Sequence, residues 1–254
     1  MKTSQPLPQR LPELDGAIFD NSYAEAAKET AHMLAPKYAE MAKAVRDLNL
    51  HEPTSLIEAG CGIGNFTWHI AKELPKTRII GEDIDTQVIQ YAQDNNNHLP
   101  NLSFQLGDIS SISQRHRDVG CILVKDMLHH LPNLKGALVQ VYNSLKPQGS
   151  FLGYDLDRSR FYNEFYKNNP RIKILTDLVR KVRKNKSESE ARTYLESLNV
   201  TACALMSFMA AYTREEVTNA LKETGFRVLS MREDELHGFR FFAIKPKTSS
   251  SRLI

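Results

Sequence analysis

"SLIEAGCGIGNFT", Ser55–Thr67, runs from an apolar stretch through a single acid into three glycines at alternate positions. Leu56 to Ala59 reads as a short buried strand, and a helical pattern begins near Asn65. Between them, Gly60, Gly62 and Gly64 carry no side chains, so a ligand can approach the turn's amides and the start of the helix closely. The spacing is E-x-G-x-G-x-G, not the G-x-G-x-x-G that sets a dinucleotide's pyrophosphate on a helix N-terminus. Glu58 would repel a pyrophosphate and suits a ligand that carries an ammonium group.

Outward from this turn, strands and helices alternate. Apolar runs at Leu56–Ala59, Arg78–Glu82, Leu102–Gln105, Gly120–Val124 and Ser150–Tyr154 are separated by helical patterns such as Gln87–Asn95 and Leu134–Leu145. This alternation predicts a parallel sheet with helices on both faces. Upstream, Met33, Leu34, Met41, Val45 and Leu48 recur at helical spacing and Pro36 interrupts them, which predicts two helices before the first strand. Downstream, about 157–212 reads as mostly helical, too long for a plain crossover and suited to a lid. Thr213 and Glu216 stand at capping-box spacing, and Gly225 is placed to stop that helix. Phe226–Met231 and Phe239–Ile244 follow as an antiparallel hairpin. The expected fold is therefore α/β: a Rossmann-like, doubly wound, seven-stranded sheet, mostly parallel with a terminal antiparallel hairpin, plus a helical lid. Residues 1–14 and 247–254 are expected to be flexible, leaving one domain over 15–246 with the lid inserted at about 157–212.

With 254 residues and 41% hydrophobic content, the chain can bury one full core. It has no apolar run long enough for a membrane span and no signal-peptide pattern, so it reads as soluble and cytoplasmic. Cys61, Cys121 and Cys203 are scattered without CxxC spacing, which suggests neither a zinc site nor a disulfide framework, and no metal is expected. A net charge of +3 is too small to imply a polyanionic partner. The segment Arg171–Lys186 nevertheless carries seven basic side chains against the single acid Asp177. It can be a phosphate-contacting face or a solvated helix face. Ile172, Ile174, Leu175, Leu178, Val179 and Val182 form an apolar stripe opposite the charges, which favours the second.

Four motifs in order make the chain resemble the class I S-adenosylmethionine-dependent methyltransferases. They are "IEAGCGIGNFT", "IIGEDIDTQVIQYA", "SFQLGDIS" and "ILVKDMLHHLPNLKGALVQVYNSLKPQGS". The resemblance implies S-adenosylmethionine as cofactor and S-adenosylhomocysteine as product. It also implies that Asp83 accepts hydrogen bonds from the ribose hydroxyls beside Ile84, that Asp108 receives the adenine amino group, and that Ile109 offers its backbone to the ring. Glu58, Ala59, Gly60, Cys61, Gly62, Gly64, Asn65 and Lys125 complete the implied cofactor site. Gln148 stands where the family's "LKPGG" turn has its first glycine. Ionised aspartates only accept hydrogen bonds, so they match the diols and the amine of such a ligand. Cys61 could serve as a nucleophile, but transfer from a sulfonium requires none, so it reads as a compact residue.

The acceptor is less legible. A sulfonium is already activated, so the protein must align acceptor and methyl, exclude water and, for a hydroxyl or carbon acid, remove a proton. His129 and His130 are the candidate bases, with packing beneath the site as the alternative role. Lys125, Asp126, Met127 and Leu128 replace the N/D-P-P-Y/F motif of enzymes that methylate adenine or glutamine nitrogens, which disfavours those acceptors. Asp126, His129, Phe208, Met209 and Tyr212 are the candidate acceptor contacts, although the last three could equally be the lid's own core. The expected partner is a small molecule methylated at oxygen, carbon or nitrogen. An RNA or protein acceptor on the basic segment, or a cofactor-binding module without turnover, are the alternatives.

Overall fold

The computed structural model describes residues 7–12, 21–48, 55–96, 98–197, 202–234 and 238–247. Helix α1 (Asn21–Asp47) precedes a repeating unit of β1 (Ser55–Ala59), α2 (Asn65–Glu73), β2 (Arg78–Asp83), α3 (Thr86–Asn96) and β3 (Leu102–Leu106). A short 3-10 turn (Ile109–Ser111) and α4 (Ile112–Arg115) lead to β4 (Val119–Lys125), α5 (Leu134–Ser144) and β5 (Leu145–Asp155). The lid follows as α6 (Arg158–Arg160), a π-helical turn (Phe161–Tyr166), α7 (Pro170–Asn185), α8 (Glu188–Ser197) and α9 (Ala202–Ala210). The chain then returns through α10 (Arg214–Thr224), β6 (Arg227–Asp234) and β7 (Gly238–Ile244).

The seven strands are ordered β3-β2-β1-β4-β5-β7-β6. Strands β1 to β5 pair in parallel, and β7 runs antiparallel to both β5 and β6. The reversed strand therefore lies inside the sheet, and β6 forms the edge. Burial explains that order: Phe239, Phe241 and Ala243 of β7 are buried, whereas most of β6 is open to water. Strand order reverses between β1 and β4, and a crevice for ligands opens at the carboxyl ends of strands at such a point.

Side chains alternate along the buried strands, so the sheet separates two cores. Leu56, Ile79, Cys121 and Leu123 pack toward α1, α2 and α3. Ile57, Ile80, Ile122 and Phe151 pack toward α5 and α10. A third cluster, built on Phe161, Tyr162, Val179, Val182, Leu205 and Met209, belongs to the lid. As expected, Thr213 and Glu216 form a reciprocal capping box on α10, and Gly225 ends it in the left-handed conformation with φ 103°.

Three sequence expectations change. Pro36 lies inside a single helix rather than between two. Packing of Tyr38, Met41, Ala42 and Val45 with α2 residues of the same core offsets the lost backbone hydrogen bond. Ile174, expected in the apolar stripe of α7, is 67% exposed, because Thr176, Val179 and Val182 occupy the buried side. Residues 7–12, expected to be mobile, are docked: Leu11 N–H donates to Met209 O at 3.0 Å, and Arg180 and Arg183 of α7 donate to Gln9 O and Pro12 O at 2.9 and 2.8 Å. The remaining residues of the expected flexible ends, 1–6, 13–14 and 248–254, lie outside the described residues. Gln148 keeps the backbone of the glycine it replaces, with φ 64°, and its N–H donates to Lys245 O at 2.8 Å.

Candidate functional site

The glycine turn hangs from β2. Gly60 and Cys61 N–H groups both donate to Glu82 O, at 2.7 and 2.9 Å. Gly60, Gly62 and Gly64 have φ of 75°, 54° and 84°, a region that side chains disfavour. Their surroundings differ. A Cβ on Gly60 would lie 2.4 Å from Met127 Cγ, and one on Gly64 would lie 2.6 Å from the Phe104 ring. A Cβ on Gly62 would meet nothing within 4 Å. The outer two glycines are thus fixed by packing, whereas Gly62 borders open space at the end of the sheet.

Two acids stand at the exits of the next two strands, β2 and β3. Asp83, 5% exposed, accepts from Gly62 N–H at 2.9 Å and from Asp85 N–H at 3.1 Å, which ties the turn to the exit of β2. Burial raises its pKa, and the backbone N–H groups pull it back. Asp108 is exposed, and its Oδ1 accepts from Ser110 N–H at 2.8 Å. Ile84 is 70% exposed, Leu106, which is opposite Asp83 in the β2–β3 register, is 54% exposed, and Ile109 is buried. Two large apolar side chains therefore stand open beside two carboxylates. Leu106 was missed from the sequence; its only signal is an apolar residue at a strand end beside Gly107.

Beneath the turn lies a cluster of buried charge. Glu58 accepts from Thr67 Oγ1 at 2.6 Å, and burial, with Asp83 and Asp126 nearby, pushes its pKa up to about 7 against the pull of Thr67 and Lys125. Lys125 Nζ donates to Asp126 Oδ2 at 2.7 Å and lies 5.1 Å from the centre of the Tyr38 ring. Burial works against the Lys125 charge, but Asp126, Tyr38 and Glu58 together outweigh it and hold the ammonium above its usual range. Asp126 has φ 50°, a strained backbone for a residue other than glycine. Tyr38 comes from α1, to which the sequence reading assigned no part of the site. Ala59 is a buried core residue, and Asn65 opens α2 half-buried. The Cys61 thiol, 7% exposed, is pushed well above its usual pKa by burial, so it is compact and unreactive.

The segment after β4 is pinned rather than open. Asp155 accepts from the N–H groups of Met127, Leu128 and Leu156, and its Oδ1 lies 2.7 Å from His129 Nδ1. His129 is 3% exposed and its ring centre is 4.0 Å from that of the half-buried His130. Arg10 donates to His129 O and Leu131 O at 2.9 and 3.0 Å, and its guanidinium covers the Tyr212 ring at 4.0 Å. Tyr212 in turn donates to Leu131 O at 2.7 Å. Phe208 stacks on Phe161 with ring centres 5.2 Å apart, and Met209 has no exposed surface. Phe208 and Met209 are therefore built into the lid, and Tyr212 clamps the lid's end to the β4 exit. Asp155, Arg10 and Arg158, a buried arginine that donates to Ala211 O and Glu216, were also missed.

The methyltransferase-domain profile matches residues 50–226 of the chain. Juvenile hormone acid O-methyltransferase of Drosophila melanogaster is 34% identical over 103 residues, 37% of this chain and 34% of that protein. Malonyl-[acyl-carrier protein] O-methyltransferase of Halalkalibacterium halodurans is 27% identical over 140 residues, 53% of this chain and 49% of that protein. The chain thus spans less than half the length of these curated relatives. Among solved structures, the plantazolicin methyltransferase BpumL in complex with SAH superposes with a TM-score of 0.59 at 16% identity, covering 90% of this chain and 91% of that one. A SAM-dependent methyltransferase from Aquifex aeolicus gives 0.52 at 17% identity, covering 75% and 81%. The fold is theirs, and on the extent of the profile match the chain belongs to the methyltransferase-domain family.

Proposed function

We propose that the chain transfers a methyl group from S-adenosylmethionine to a small-molecule acid, forming an ester and S-adenosylhomocysteine. The observation that carries the cofactor reading is the open flank of Gly62, whose N–H donates to Asp83, at the strand-order reversal. The residues fit the group. Glu58 would balance the ammonium of the methionine part, Asp83 would take the ribose hydroxyls, Ile84 and Leu106 would offer apolar surface to the adenine ring, and Asp108 would accept its amino group. S-adenosylmethionine, when bound, supplies a methyl on a positively charged sulfur that needs no further activation.

The acid acceptor has two supports. Relatives are named for juvenile hormone acid, malonyl-[acyl-carrier protein] and trans-aconitate. A carboxylate is already ionised at neutral pH, so it needs no base, and His129, one of the two candidate bases, is 3% exposed and so poorly placed to reach an acceptor. On this reading His129 and Asp155 shape the wall beneath the acceptor, and the lid excludes water over it.

Calorimetry with S-adenosylhomocysteine and with a nicotinamide dinucleotide, followed by transfer of tritiated methyl to panels of small carboxylic acids, phenols and amines, tests this. Binding of S-adenosylhomocysteine alone and alkali-labile product from acids are expected. Label that appears only on phenols or amines sinks the acid acceptor, and dinucleotide binding sinks the cofactor.

A further inference from the structure

Glu82, which was quoted within a motif but given no role, is fully buried at the end of β2. Its neighbour Asp83 faces the glycine turn, so alternation turns Glu82 to the opposite face of the sheet. There Gln105 Nε2 donates to Oε1 at 2.8 Å, Arg115 Nη2 donates to Oε2 at 3.0 Å, and His116 Nε2 lies 2.7 Å from Oε1. Arg115 does not stop at this ion pair. The same Nη2 donates to Asp108 O at 2.8 Å, and Nη1 donates to Ser111 Oγ at 2.9 Å. The fit is close: a Cβ on Gly107 would lie 2.6 Å from the Glu82 carboxylate. Glu82 also accepts from the Gly60 and Cys61 amides of the glycine turn through its own carbonyl. One residue therefore holds the glycine turn by its backbone and, through Arg115, the loop after β3 by its side chain.

We infer that Glu82 and Arg115 are positioning residues that preset the Asp108 loop, and that this pair sets the site's preference for adenine over hypoxanthine. The inference rests on the cofactor reading above. Adenine presents an amino donor where hypoxanthine presents a carbonyl acceptor, so a carboxylate held in place favours the first and repels the second. Asp108 is exposed, and its loop is fastened from below by the Arg115 bonds to Asp108 O and Ser111 Oγ. Ser110 N–H still holds Asp108 Oδ1 without them, but the loop as a whole loses its tie to the sheet, and a carboxylate that moves with its loop discriminates poorly.

The test is calorimetric affinity for S-adenosylhomocysteine and for S-inosylhomocysteine in wild type, Arg115→Gln, Arg115→Lys and Gln105→Met. Wild type should prefer the adenine ligand about tenfold or more, as expected for one charge-assisted hydrogen bond. Both Arg115 variants should lose most of that ratio, chiefly through weaker adenine binding. Arg115→Lys keeps a cation for Glu82 but cannot span both partners, so it serves where the glutamine variant does not fold. Gln105→Met removes a Glu82 partner and leaves the Arg115 bonds intact, so it should keep the wild-type ratio. A ratio unchanged in Arg115→Lys, or lost equally in Gln105→Met, overturns the positioning pair. Failure of wild type to bind S-adenosylhomocysteine overturns the cofactor reading instead.

Discussion

The strand ends that carry the candidate cofactor site and the helical insertion between β5 and α10 are built in different ways. At the strand ends, groups close in sequence are held by backbone bonds: Gly60 and Cys61 to Glu82 O, Gly62 to Asp83, and Ser110 to Asp108. The lid is held to the rest by side chains that reach across the fold, including Arg158 to Glu216 and Arg180 to Gln9, while Arg10 ties residues 7–12 to the β4 exit. A surface defined by backbone suits a ligand that never changes. A cover attached by side chains can differ between proteins that share the sheet. On the proposed function, cofactor binding falls to the first region and acceptor choice to the second, and each can be broken separately.

The largest expected effect lies within the turn. Gly62→Val places a side chain where no protein atom stands within 4 Å, at a φ of 54°. The strain costs about 1–2 kcal/mol, so the chain should fold and yet lose S-adenosylhomocysteine binding. Gly60→Val must in addition displace Met127 Cγ, 2.4 Å away, and should lower the melting temperature more. A folded Gly62→Val variant with normal calorimetric affinity would show that the open flank is not the ligand's. Asp83→Ala comes next, with a loss of about tenfold or more in cofactor affinity for one charge-assisted hydrogen bond of about 1.5–3 kcal/mol. Since Asp83 also anchors Gly62 N–H, the loss should extend to ligands that lack the ribose diol.

The local geometry at these two positions was readable, because a turn with positive φ and an acid at a strand end leave marks on contiguous residues. Asp108, the capping box on α10 and the hairpin of β6 and β7 were readable for the same reason. Arg10 and Tyr38 were not. Arg10 meets His129 O from 119 residues away, and no local pattern distinguishes it from a solvated arginine. Pro36 misled because the packing of α1 with α2 overrides a helix breaker, and Ile174 because the buried stripe of α7 is narrower than its apolar content. Glu82 lay in plain sight, but its meaning depends on Arg115, which arrives from beyond β3.

A smaller effect separates binding from stability at Glu58. Its pKa is raised from 4.5 to about 7 chiefly by burial. A carboxyl raised in this way contributes stability that is fully present below 4.5 and lost as pH rises through about 7. An ammonium ligand favours the ionised form, so cofactor affinity should climb between pH 6 and pH 7 and level off above. The climb is bounded at about tenfold per pH unit, and proton release should appear as buffer-dependent binding enthalpy. Glu58→Gln should flatten both the affinity profile and the pH-dependent loss of stability. An equally sloped profile in that variant would move the titration to another group.

The smallest effect on binding, and the sharpest test of the division, is at Arg180. Its guanidinium donates to the Tyr162 hydroxyl from Nε and Nη2, at 3.1 and 2.6 Å, and to Gln9 O at 2.9 Å, so it joins the lid's core to residues 7–12. Arg180→Gln cannot span these partners. Losing these charge-assisted bonds should loosen the lid without unfolding the sheet. Residues 7–12 also carry Arg10, whose bonds to His129 O and Leu131 O join the lid's strap to the β4 exit, so loosening should reach the acceptor wall. The expected result is unchanged affinity for S-adenosylhomocysteine, faster amide exchange confined to the lid, and methyl transfer reduced severalfold with KM for the acceptor raised. Restoring a long cation with Arg180→Lys should recover part of the transfer. If cofactor affinity falls in step with transfer, the lid and the strand ends act as one body, and acceptor choice cannot be assigned to the lid alone.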